Sequence, residues 1–193
     1  MRRLKPGAVL ISLVVVIAAC DQPPEPSDAP APSATPAVAA SATAFTHSFS
    51  DDLSGYYMPV DEVRVGDWRL HHLFMGQRSD FAAWEGGTRP ATFGPVMAEF
   101  EDLSSPMVQT ELGESRSGRS RVLPVSYSIS DDRVRFTGRS TVLGEVTFDG
   151  RLDPGALATA RRNLGDETAV LTGTLRVGDR TLNGVRMRWW AGD

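Results

Sequence analysis

The sequence of 193 residues is poor in cysteine and histidine, and it lacks a long apolar run. Cys20 is the only cysteine, so no disulfide can form within the chain, and the residues after it offer no thiol nucleophile. The three histidines, His47, His71 and His72, leave few candidates for acid–base or metal chemistry. After residue 20 no apolar run approaches the roughly 20 residues of a membrane-spanning helix. The stability of the folded part must therefore come from a hydrophobic core.

Lysine is scarce as well, and the remaining charges are distributed unevenly. Lys5 is the only lysine, residues 21–115 hold 4 arginines and 15 acidic residues, and residues 116–193 hold 13 arginines and 9 acidic residues. The excess of acid argues against nucleic acid as a partner. The imbalance favours either attraction between two halves of one sheet or a basic face that meets anionic headgroups or an acidic partner. Such a face would be built partly from Arg133, Arg135, Arg186 and Arg188.

The amino terminus has the pattern of an export signal. Arg2, Arg3 and Lys5 form a basic head, an apolar run of 12 residues follows from Ala8 to Ala19, and Cys20 comes directly after Ile-Ala-Ala. This order resembles the signal peptide of bacterial lipoproteins. The resemblance implies cleavage before Cys20, a signal peptide at residues 1–19 and a diacylglycerol on the Cys20 thiol.

The resemblance also predicts where the protein resides. Acyl chains contribute about 0.8 kcal/mol per buried CH₂, so an acylated Cys20 would anchor the chain to a membrane. We expect a lipid-anchored protein of the bacterial cell envelope, with its domain in the periplasm. In some bacteria an aspartate after the cysteine, here Asp21, retains lipoproteins in the inner membrane, and the choice between inner and outer membrane stays open.

Residues 20–44 have the composition of a tether. Proline, alanine, serine and threonine predominate, and almost nothing in the segment could be buried. Proline removes backbone donors and favours extended conformations, so we expect a disordered linker. Its prolines are Pro23, Pro24, Pro26, Pro30, Pro32 and Pro36. A single folded domain is then predicted for residues 45–193.

Period-two alternation of apolar and polar residues dominates this domain. Residues 123–129, 134–136, 146–152, 171–177 and 185–189 all follow it, and Asp131-Asp132 and Gly178-Asp179 are hairpin-turn signals. One helix is predicted from Asp153, a good N-cap, to Gly165. The pattern predicts a mainly β fold, an antiparallel barrel or sandwich of about eight to ten strands with one short helix.

A short motif near the start of the domain adds a resemblance. The segment 53–57, Leu-Ser-Gly-Tyr-Tyr, is similar to the Gly-x-Trp motif of lipocalins, with Tyr57 in place of the tryptophan. The resemblance implies an up-and-down barrel that holds one apolar molecule. The strand–turn–helix–strand order of the last 60 residues is similar to that of periplasmic isoprenoid-binding barrels.

The segment Asp67–Met75 contains the candidate ligand-binding residues. Strict alternation places Trp68, Leu70, His72 and Phe74 on one face, which we expect to look inward. The same alternation places His71 on the opposite face from His72, so the two histidines are not expected to chelate one metal ion. No catalytic residue, metal site or cofactor is predicted.

Three functions are consistent with these features. The first is a barrel that binds a small apolar ligand or lipid inside. The second is an interaction or assembly factor that uses a sheet face or basic surface to contact an envelope protein. The third is a hydrolase, although the sequence contains no Gly-x-Ser-x-Gly motif. A large interior cavity would favour the first function, and a filled core would favour a surface.

Overall fold

A computed structural model describes residues 44–111 and 113–192 of the chain. The predicted signal peptide, Cys20 and all of the predicted linker except Ala44 lie outside the described residues, so acylation and disorder stay predictions. None of the helices in the described part is long and apolar enough to cross a membrane.

The described residues form thirteen strands and two helices. In chain order the elements are β1 (Phe45–Ser48), β2 (Gly55–Pro59), β3 (Arg64–Val65), β4 (Trp68–Met75), α1 (Arg78–Glu85), β5 (Val96–Asp102), β6 (Met107–Thr110), β7 (Gly113–Arg116), β8 (Arg119–Val122), β9 (Pro124–Ser130), β10 (Arg133–Ser140), β11 (Gly144–Leu152), α2 (Pro154–Arg162), β12 (Ala169–Val177) and β13 (Arg180–Trp190).

Eleven strands form one curled sheet with the shape of a half-barrel. The strand order is β1-β9-β10-β11-β12-β13-β2-β4-β5-β8, and β3 pairs with β4 beside this path. Strands β1 and β9 are parallel, and the other pairs are antiparallel. Strands β6 and β7 form a separate hairpin between β5 and β8. The predicted mainly β, antiparallel fold is confirmed.

The two ends of the curled sheet meet where β8 continues into β9. Strand β8 is last in the sheet order and β9 is second, and only Leu123 separates them along the chain. The hydroxyls of Ser120 on β8 and Ser140 on β10 lie 2.9 Å apart, which brings the end strand against β10. The sheet is therefore curled until its last strand, β8, reaches β10, and the curl encloses the inner face.

The inner face is filled by one continuous hydrophobic core. Its largest fully buried side chains are Tyr57, Phe81, Phe100, Phe136 and Phe148, and they come from β2, α1, β5, β10 and β11. Close packing of this kind needs small residues where rings cross. A Cβ at Gly55, whose φ is +139°, would collide with the Trp189 indole. These buried rings occupy the inner face, where the sequence resemblance places a ligand.

Two helices cover the core instead of the one that the sequence predicts. Helix α2 begins as expected, with the Asp153 carboxylate accepting the Ala156 N–H at 2.9 Å, and it ends at Arg162. Helix α1 was not predicted. It spans eight residues and buries only Phe81 and Trp84, and Asp80 accepts the Gln77 N–H at 2.8 Å before its first turn.

Candidate functional site

A β-bulge in β4 determines which side chains reach the outer face. Leu70 pairs with Phe100 and His72 pairs with Glu99, so His71 is an extra residue without a cross-strand partner on β5. A bulge of this kind turns two consecutive side chains to the same side of a sheet. The sequence-based expectation that His71 and His72 point to opposite faces is therefore wrong.

The same bulge separates the four predicted ligand-binding residues. Leu70 belongs to the core, and Trp68 packs against the core from its rim. His72 and Phe74 lie on the outer face, where both contact the ring of Tyr56, with centroids 4.9 and 5.3 Å away. The four residues do not share one face, because strict alternation is interrupted at His71.

The two histidines form a close pair. Their Nδ1 atoms lie 2.7 Å apart, so one ring donates and the other accepts. His72 is buried, and this burial lowers its pKa to about 4 despite the opposing charge of Glu99. Its ring is therefore neutral at pH 7. His71 is about one-third exposed, and its Nε2 lies 3.7 Å from Glu101 Oε1.

Two buried glutamates on β5 lie beside the histidine pair. Glu99 is 4% exposed and Glu101 is 5% exposed. Arg119 and Arg121 of β8 bind the Glu99 carboxylate at 2.8 and 3.0 Å, and Arg69 of β4 binds Glu101 at 2.7 Å. Burial alone would raise the pKa of Glu99, but hydrogen bonds from Arg121 and Arg119 outweigh it and hold the pKa below the ordinary value.

The charges are layered at this site. The carboxylates are buried, whereas the side chains of the three arginines are between 41% and 48% exposed. Solvent therefore meets guanidinium groups rather than carboxylates. We call Arg69, Arg119, Arg121, Glu99 and Glu101 the arginine–glutamate cluster.

Aromatic side chains continue the same outer face beyond His72. Tyr56 lies next to Phe74 and Trp190, with ring centroids 5.3 and 5.5 Å away, and Phe74 contacts Phe93 at 5.7 Å. Trp190 is 39% exposed, whereas Trp189 faces the core. We call Tyr56, Phe74, Phe93 and Trp190 the aromatic patch.

A cleft of about 860 Å³ opens beside the arginine–glutamate cluster. One wall is the outer face of the sheet, with Arg69, His71, Glu101 and Arg119. The other wall is the hairpin β6–β7, on which Met107 is 48% exposed. The Arg116 guanidinium donates to the Ser105 carbonyl at 2.7 Å and ties the hairpin to the preceding turn. The cleft thus lies outside the barrel rather than within it.

The basic face predicted from the sequence is a surface of separate ion pairs. Arg133 and Arg135 both reach Asp149, at 2.6 and 3.6 Å. Arg186 pairs with Asp61 at 2.7 Å, and Arg188 lies 3.8 Å from Glu167. Strands β11 and β12 separate these two groups in the sheet. Three carboxylates thus lie beside these four arginines and offset most of the predicted positive charge.

The third histidine belongs to a different cluster. His47 Nδ1 and the Tyr127 hydroxyl both lie within hydrogen-bond distance of Glu85 Oε1, at 2.9 and 3.1 Å. Burial is the first cause that raises the pKa of Tyr127, so its hydroxyl stays protonated. Among the described side chains no serine hydroxyl bonds a histidine, so no serine–histidine catalytic pair is formed there.

Sequence reasoning missed the arginine–glutamate cluster, although a signal for it is present. Glu99 and Glu101 alternate along β5, and Arg119 and Arg121 alternate along β8, directly opposite Glu101 and Glu99. Opposite charges in cross-strand positions favour pairing of the two strands.

Comparisons with family models, with curated proteins and with solved structures find no match to this chain.

Proposed function

We propose that this chain is a lipid-anchored protein of the bacterial envelope whose β domain binds a partner protein through its outer sheet face. The observation that carries the proposal is the layered arginine–glutamate cluster beside the large cleft. Burying two carboxylates is costly unless cations compensate them, so such a cluster needs a reason beyond solubility. Charge-assisted hydrogen bonds to the two carboxylates hold the three arginine side chains in fixed orientations, which a recognition surface requires.

A surface site is favoured over the interior site expected from the barrel resemblance. The inner face carries the packed core, whereas the contacting rings of His72 and Tyr56 face outward. An apolar ligand inside the barrel would have to displace core side chains such as Phe136 or Phe148. The interaction function therefore has the stronger structural support.

The surface favours a partner segment with apolar side chains and charges of both signs, because Arg69, Arg116 and Arg119 line the cleft together with Glu101, Glu111 and Glu114. Arg69, Arg119 and Arg121 are partly exposed, and a guanidinium has five N–H donors, more than the bonds made here use. The aromatic patch beside them offers apolar contact. From β13 to β8 the face crosses four strand spacings, about 19 Å, which suits an extended segment. The predicted linker would let the domain reach such a segment away from the membrane.

Site-specific photocross-linking in living cells tests the interaction. A photoreactive residue at Thr110, in the cleft, or at Trp190, in the aromatic patch, is expected to yield reproducible protein adducts. The control position is Thr172, on the exposed side of β12. The variant Arg69→Gln should remove most of the adduct, because it takes one arginine from the binding face. It should still fold, because Arg119 remains beside Glu101. Arg133→Gln is the matched control and should not change it.

Three results would contradict the proposal. These are adducts of equal yield from Thr172, adducts to lipid instead of protein, and equal yields with and without Arg69→Gln. Circular dichroism of each variant confirms that the fold is retained.

The membrane anchor has its own test. Metabolic labelling with a fatty acid is expected to mark the parent chain and to leave Cys20→Ser unmarked, because the thiol is the acceptor that the lipoprotein resemblance implies. Equal labelling of the two would remove the anchor from the proposal and would leave the binding face untouched.

A further inference from the structure

We propose that His71, His72 and Glu99 bind a divalent transition-metal ion, with Zn²⁺ as the best-suited ion. The bulge places the two imidazoles side by side, and the pairing of His72 with Glu99 brings the carboxylate to them across the strands. One ligand atom from each of the three residues lies within 4.8 Å of the others.

The separations are close to those that zinc requires. Zn–N and Zn–O distances of about 2.0–2.2 Å place tetrahedral ligand atoms roughly 3.3 Å apart. The histidine Nδ1 atoms are now 2.7 Å apart with a proton between them. Replacing that proton with a metal ion requires the rings to separate by less than an ångström and Glu99 to approach by a rotation of its side chain. Two imidazoles and one carboxylate form a donor set that suits zinc better than magnesium or calcium.

The hydrogen bonds of Glu99 leave one of its carboxylate oxygens able to bind an ion. Glu99 Oε2 accepts two bonds from Arg121, whereas Oε1 accepts one bond from Arg119 and keeps a second lone pair. Glu99 Oε1 is therefore the carboxylate atom that can bind the ion.

An outer shell for the site is also present. Histidines that bind zinc commonly direct their second ring nitrogen to a carboxylate, which fixes the ring orientation. His71 Nε2 lies 3.7 Å from Glu101 Oε1, in the position of such a partner. His71 also lines the large cleft, so an ion can reach the site from solvent.

The neighbouring arginines oppose the ion and limit its affinity. Arg69, Arg119 and Arg121 carry three positive charges against the two carboxylates. Their heads are partly exposed, and solvent screens much of their repulsion. We therefore expect this site to bind zinc more tightly than magnesium. We also expect it to bind zinc more weakly than closed sites with four protein ligands do.

Titration of the full-length chain in detergent tests the site. After treatment with EDTA, Co²⁺ is expected to give visible d–d bands that saturate at one ion per chain and that Zn²⁺ abolishes. His71→Gln and His72→Gln should each weaken Zn²⁺ binding at least tenfold, and Glu101→Gln should weaken it less. His47→Gln, which alters the histidine bound to Glu85, is the matched control and should leave binding unchanged.

Nitrogen chemical shifts of the histidine rings give a readout that does not depend on affinity. One equivalent of Zn²⁺ should shift the Nδ1 signals of His71 and His72 and leave those of His47 in place. If His72→Gln does not fold, the partly exposed His71→Gln keeps the test decisive. The proposal is overturned if no saturable binding occurs, or if His47→Gln weakens binding as much as His71→Gln. Neither result would affect the cross-linking test of the partner-binding face.

Discussion

Two ion-pair surfaces on the outer face of the sheet use the same residue types in different ways. In the arginine–glutamate cluster the acids are buried and the arginines cover them. On strands β10 to β13 the acids are exposed, with Asp149 at 48% and Glu145 at 41%. Exposed pairs of the second kind contribute about 0–1 kcal/mol, whereas a buried charge depends strongly on its partner. The difference indicates that burial, rather than the number of arginines, distinguishes a built site from a solvated surface.

The largest effect is expected from removing the cations over Glu99. The double variant Arg119→Gln, Arg121→Gln leaves a buried carboxylate without a cation and should cost about 3 kcal/mol of unfolding free energy at pH 7. The matched double variant Arg133→Gln, Arg135→Gln acts on the exposed Asp149 and should cost less than about 1 kcal/mol. Urea unfolding followed by tryptophan fluorescence measures both. Equal costs would show that the two surfaces do not differ.

An intermediate effect is expected from pH in a buffer that contains EDTA. The pKa of His72 is lowered to about 4 in the folded chain, against about 6.5 when unfolded. Neutral His72 therefore contributes fully above pH 6.5, and its contribution is lost as the pH falls toward 4. The loss amounts to roughly 2–3 kcal/mol at about 1.4 kcal/mol per pKa unit.

The variant His72→Gln checks this expectation because glutamine does not titrate. Its unfolding free energy should fall less between pH 7 and pH 4.5 than that of the parent chain. The lowered pKa of Glu99 has the same sign and acts mainly below pH 4.5. A parent and a His72→Gln variant with identical pH profiles would contradict the assignment.

The smallest effect is expected at the exposed pair of Arg186 and Asp61. Asp61 is 71% exposed, so Arg186→Gln should change the unfolding free energy by less than about 0.5 kcal/mol. Addition of 0.5 M NaCl should reduce even that difference, because salt screens exposed charges. A cost above that of the Arg119 and Arg121 double variant would reverse the comparison between the two surfaces.

Local pattern predicted most of the strands but not the site. The regular alternation in β9 to β13 arises because one face is buried and the other is wet, and a sequence displays that contrast directly. The strand Val96–Asp102 is buried on both faces, and the arginines that bury its glutamates come from β8, about twenty residues later. Such long-range compensation is invisible to a short sequence window.

The bulge at His71 and helix α1 were missed for related reasons. A bulge is set by how two strands fit together, and alternation within one strand carries no mark of it. Helix α1 offers only Phe81 and Trp84 as an apolar stripe, too few to show a helical period. The acylation of Cys20 rests on a local motif and stays a prediction.

The pairing register of β4 with β5 does not require the extra residue, His71. If His71 were deleted, Leu70, His72 and Leu73 would oppose Phe100, Glu99 and Ala98 without interruption, and Leu73 and Met75 would stay inside. Without His71, the pairing of β4 with β5 would thus be regular over these residues. The bulge leaves Leu70, Leu73 and Met75 in the core and adds one imidazole to the outer face, where the proposed metal site needs it.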